Sequence, residues 1–108
     1  MAWLGRSRGR RAAASEARRA AEDHLRAWAA ERHGVEAYIE PATRTTPTTV
    51  VLVALTGEWT RRRVADPAAA REIARALAIP VYDVNLTGYP RRMREWNVRQ
   101  RTAGRPRP

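Results

Sequence analysis

The segment TTVVLVAL, residues 48–55, constrains this chain most. It is apolar at successive positions and rich in β-branched Val, the pattern of a strand with both faces covered. It predicts a central strand. Thr56-Gly57 predicts a short hairpin turn after it, and EWTRRRV returns antiparallel. On that return Arg61 and Arg63 share the face of Trp59, and Arg62 takes the other. Arginine on both faces predicts an edge strand, where charge discourages sheet-to-sheet pairing. The same edge leaves open a homodimer or a protein partner.

The remaining elements follow from periodicity. Residues 12–33 predict a helix, with Ala14, Ala17, Ala21, Leu25 and Trp28 as its apolar stripe and Gly34 as its stop. VEAYIEP alternates apolar and polar positions and predicts a half-buried first strand. Asp66-Pro67 predicts the start of a second helix, with Asp as N-cap and Pro at the first helical position. Ala70, Ile73, Ala74 and Leu77 form its inner face. VYDVNL predicts a fourth strand over 81–86, and Thr87-Gly88-Tyr89-Pro90 a turn. After Pro90 a short helix carries Met93 and Trp96 on one face. The expected order is α-β-β-β-α-β, an α+β two-layer sandwich with a mainly antiparallel sheet. A chain of 108 residues holds one such domain, over 12–97, between basic tails at 1–11, read as disordered, and 98–108.

Charge is confined to the ends. Residues 1–11 carry +4 and residues 91–108 carry +6, while residues 12–90 are neutral. Every basic residue is Arg. The guanidinium fork suits phosphate, although 21 Ala beside 21 Arg is also what a GC-rich genome produces.

Catalytic chemistry is poorly supplied. With no Cys and no Lys, thiol catalysis, thiolate metal sites and Schiff-base chemistry are excluded. His24 and His33 face opposite sides of one helix and share no metal. Ser7 and Ser15 lie in the N-terminal segment, away from any histidine–carboxylate grouping. No glycine-rich phosphate loop exists. Asp83 and Asn85, two apart on the expected fourth strand, are the one polar pair an enzyme site could use. No cofactor and no metal are expected. No apolar run reaches the length of a membrane span, and the Arg10-Arg11 pair is followed by no apolar segment that would complete a targeting signal.

The phrases TTVVLVALTGEWTRRRV and IPVYDVNLTGYPRRMREW resemble a family of small actinobacterial proteins of unassigned function. The resemblance covers about residues 20–97 and carries no catalytic motif. It implies a bacterial cytoplasmic protein. The helix–three strands–helix order of residues 12–78 also looks like a double-stranded-RNA-binding domain. The helix start DPAAAR and the loop ATRTTPT depart from that family at both of its contact segments.

The chain therefore reads as a non-enzymatic module that contacts nucleic acid or another polyanion through its arginine-rich ends. The expected contacts are Arg6, Arg8, Arg10, Arg11, Arg61, Arg63, Arg91, Arg92, Arg94, Trp96, Arg99 and Arg101. The alternatives are a protein-docking patch at Tyr89, Met93 and Trp96, and an enzyme site near Asp83, Asn85 and Arg91, including an oxidoreductase-like one.

Overall fold

The computed structural model describes residues 2–104, with side chains from Arg8 onward. Helix α1 (Ala2–Ala30) precedes strands β1 (Glu36–Glu40), β2 (Thr49–Val53) and β3 (Trp59–Arg63). Helix α2 (Pro67–Ala76), strand β4 (Val81–Asp83), a single turn α3 (Val84–Thr87) and helix α4 (Arg91–Ala103) follow. The fold is α+β, in the expected element order.

The sheet runs β3-β2-β1-β4. β1 pairs antiparallel with β2, with Tyr38 opposite Val51, and β2 pairs antiparallel with β3, with Val51 opposite Arg61. β4 adds parallel to β1, so α2 is the crossover that carries the chain from one edge to the other. The TTVVLVAL segment is indeed internal, and β3 is the edge that its arginines predict.

Pleating divides the core in two. Ala37, Ile39, Val50 and Leu52 pack on one face with Leu25 and Trp28 of α1 and Ala70, Ile73 and Ala74 of α2. Tyr38, Val51 and Val53 pack on the other face with Met93 of α4, flanked by Trp59 and Tyr89. The expected two layers thus gain a partial third. The reason is β2, whose Val51 and Val53 need cover on the side away from α1.

Four boundaries differ from expectation. The segment 1–11, read as a disordered tail, is helical from Ala2, because Arg and Ala are strong enough helix formers to carry α1 through Gly5 and Gly9. The helix stops at Ala30, and Gly34, with φ of +61°, turns the chain into β1. The tail from residue 98 is also partly helical, since α4 runs to Ala103. The fourth strand is only three residues long. Asp83 ends it by turning its carboxylate onto the backbone N–H of Asn85 and capping α3. Asp83 and Asn85 therefore do not share a strand face.

Candidate nucleic-acid interface

Which arginines are free is decided by where the glutamates lie. Arg61 of β3 donates through Nε and NH2 to the two oxygens of Glu40, at 2.6 and 2.9 Å. Its guanidinium also lies 5.0 Å from the ring centre of Trp59. Arg92 points inward. It donates to the Ala54 carbonyl at 2.9 Å and pairs with Glu36 at 2.6 Å. Arg32 holds Glu58 with two hydrogen bonds and stacks on Trp28, and Arg91 pairs with Glu95 one helical turn on. Arg61, Arg91 and Arg92 were expected to meet a polyanion. Each pairs with a carboxylate of its own chain, and Arg92 fastens α4 to the end of β2.

The other α4 residues divide similarly. Arg94 donates to the Tyr89 carbonyl and Arg99 to that of Thr56, both from exposed positions. Arg99 also lies over the Trp96 ring. Arg101 is exposed. Trp96 is half-buried and packs where the Gly57 turn approaches α4. Met93 is buried, and the Tyr89 hydroxyl donates to Glu40. The trio Tyr89, Met93 and Trp96, the expected docking patch, thus packs between α4 and the sheet, with only Met93 fully buried.

On the opposite side of the sheet a groove of about 1290 Å³ runs between α1 and the end of β3. Its floor is alkyl, from Ala14, Ala17, Ala21, Val64, Ala69 and Ile73. Arg11, Arg18, Arg62 and Arg63 line it, and Glu22 is the carboxylate among its described lining residues. These four guanidiniums are exposed and none makes an ion pair among the described residues. Helical geometry gathers more charge beside them. At 100° per residue, Arg8, Arg11, Arg18, Arg19 and Arg26 fall within a sector of about 100° on α1. Arg8 and Arg10 are exposed near its start. The backbone of Arg6 lies in α1, but its side chain is outside the described residues, as are Arg105 and Arg107 of the C-terminal segment.

Sequence reasoning missed Arg18, Arg62 and His24 at this site. The signal for Arg62 was present: it alternates with Arg61 onto the Thr60 face, the face that α1 covers. His24 lies between α1 and β3, with Nε2 2.7 Å from the Thr60 hydroxyl and Nδ1 3.1 Å from Arg62 NH2. Burial, then the charges of Arg62 and Arg32, depress its pKa below the ordinary imidazole value.

No grouping of His, Asp and Glu suited to a metal ion occurs among the described residues, and no helix there is long and apolar enough to cross a membrane. Protein-family models, curated proteins and solved structures give no match to this chain.

Proposed function

We propose that the chain is a non-enzymatic module that binds the phosphate backbone of nucleic acid along the α1–β3 groove. Its contacts are Arg11, Arg18, Arg62 and Arg63, extended by the basic flank of α1. A bacterial cytoplasmic setting, as the actinobacterial resemblance implies, supplies such ligands. One observation carries the reading: these four arginines line one groove, and none has an ion-pair partner among the described residues. Arginine forks pair naturally with phosphate oxygens. The groove's floor is alkyl and no Trp, Tyr or Phe is among its described lining residues, so the mode is backbone contact without base readout. Compared with the sequence expectation, the interface moves from both ends of the chain to one face.

The test is the salt dependence of binding to a 20-base-pair DNA duplex of random sequence. Four phosphate contacts give a log–log slope of about −3 to −4. Replacing Arg11, Arg18 and Arg63 together with Gln flattens that slope by about 1 per arginine. Replacing Arg94 and Arg101 instead leaves it unchanged. A slope that survives the triple substitution would remove the groove from the interface.

A further inference from the structure

His24 has an assigned tautomer. A guanidinium carries five N–H donors and no acceptor. The ring nitrogen facing Arg62, Nδ1, must therefore be bare and accepting, and Nε2 carries the proton it donates to Thr60. The ring is neutral as folded. Arg62 in turn is held by two uncharged acceptors, the Nδ1 of His24 and the carbonyl of Arg61 at 2.7 Å. Among the described residues no carboxylate pairs with it, and it lines the groove.

The surroundings oppose a second proton on that ring. Arg62 of β3 touches it, and the charge of Arg32, just past the end of α1, acts on it as well. Arg11, Arg18 and Arg63 line the same groove, with Glu22 as the opposing carboxylate. α2 and the 42–48 loop contribute only alkyl and hydroxyl groups there. A protonated His24 would add one more cation to this cluster and cancel the acceptor that Arg62 uses. An incoming anion reverses both effects. It accepts from Arg62 in place of Nδ1, and it favours a protonated Nδ1 that can donate to it as well.

We propose that His24 and Arg62 form a phosphodiester-binding pair, and that occupation of the pair takes up one proton at His24. This rests on the groove being the nucleic-acid interface. Binding that takes up a proton strengthens as pH falls through the range where the free ring is neutral and the bound ring charged. The protein then holds its ligand more tightly in mildly acidic solution, by at most tenfold per pH unit for a single proton.

The experiment uses the full chain and the same random DNA duplex at one fixed salt concentration, from pH 5.5 to 8.0. The duplex binds about fivefold tighter at pH 5.5 than at pH 7.5, the effect over that range of about one unit of pKa rise on binding. His24→Gln loses this dependence, while His33→Gln keeps it. His33→Gln also leaves His24 as the only imidazole in the chain, so its ring resonances can be followed by NMR in an otherwise unaltered groove. Adding duplex raises the pKa of that ring by about one unit. If the duplex binds with the expected salt slope but the ring pKa does not move and His24→Gln keeps the wild-type pH profile, the proton-linked pair is overturned and the groove interface stands. If no salt-dependent binding occurs at any pH, both fall together.

Discussion

The Glu40 carboxylate, at the end of β1, receives donors from β2, β3 and the loop before α4. Arg61 Nε and the Thr49 hydroxyl reach one oxygen, and Arg61 NH2 and the Tyr89 hydroxyl reach the other. Burial alone would raise its pKa, but the hydrogen bonds from Arg61, Thr49 and Tyr89 outweigh it and hold the group below its ordinary value of 4.5. The sign of the linkage follows. A depressed folded pKa stabilises the fold fully above the unfolded pKa, and that contribution drains away as pH falls below about 4.5 through the folded value. Glu40→Gln should therefore lower stability at pH 7 by about 1 kcal/mol, the cost of weakening a part-buried network whose Arg61 faces solvent. It should also shrink the loss of stability between pH 5 and pH 3, as read by thermal melts; an acid limb as steep as wild type would show that other carboxylates set it. A second residue carries backbone strain. Ala78, just past α2, has φ of +55°, while Ile79 N donates to the Ala74 carbonyl in the 6→1 bond of a Schellman turn. Glycine is the residue suited to that position, so Ala78→Gly should leave stability unchanged or raise it by up to about 1 kcal/mol. A clear loss in chemical denaturation would mean that chain entropy outweighs the strain. Neither feature was legible in the sequence. The donors to Glu40 come from 9, 21 and 49 residues away, and no local pattern says which of 21 arginines finds a carboxylate.

Helix α4 is fastened to the sheet by few but specific contacts. Met93 fills the second core, Asn97 accepts from the Trp59 indole at 2.7 Å, and Arg92 reaches the carbonyls that end β2. The tightest approach is at the hairpin turn. A Cβ on Gly57 would lie 2.0 Å from the Arg92 carbonyl oxygen, and Gly57 sits at φ of +92°. Gly57→Ala thus meets both a backbone clash and a conformation that side chains avoid, the latter costing about 1–3 kcal/mol by itself. The expected outcome is local: amides of residues 94–103 exchange faster with solvent, while those of β2 stay protected by α1 and α2. Unchanged protection in α4 would show that the turn and helix can slide apart without loss. The turn itself was legible from Thr56-Gly57, as was the start of α2 from Asp66-Pro67, where Asp66 Oδ1 accepts from Ala69 N. These signals are local chemistry acting over two to four residues. The placement of α4 was not legible, because Arg92 reads as surface until the β2 carbonyls and Glu36 are brought beneath it. The fourth strand was overextended for a related reason: VYDVNL alternates well, but the Asp83 side chain competes for the backbone and ends the strand.

At the scale of the whole molecule, a net charge of +10 is distributed unevenly. The glutamates Glu36, Glu40 and Glu58 are consumed in pairs that hold the sheet, its hairpin and two helices together. What remains is a surplus of exposed arginine, dense along α1, which with 29 residues is about 44 Å long in a molecule whose longest extent is 62 Å. Like charges at that density repel, and salt screens them within about 10 Å at 0.1 M. The half-buried pairs are screened much less. Raising salt from 20 to 200 mM should therefore raise the melting temperature of the free protein. The duplex acts in the opposite sense. A ligand that binds only the folded state stabilises it by mass action, but counterion release makes that affinity collapse over the same salt range. Melting with and without duplex should give two curves that converge: the duplex adds several degrees at 20 mM salt and nothing measurable at 200 mM. A free protein whose melting temperature falls with salt would mean that the paired glutamates, and not the unpaired arginines, dominate its electrostatics. A duplex that stabilises equally at both salt concentrations would point to an apolar contact on the alanine floor in place of phosphate on its arginine rim.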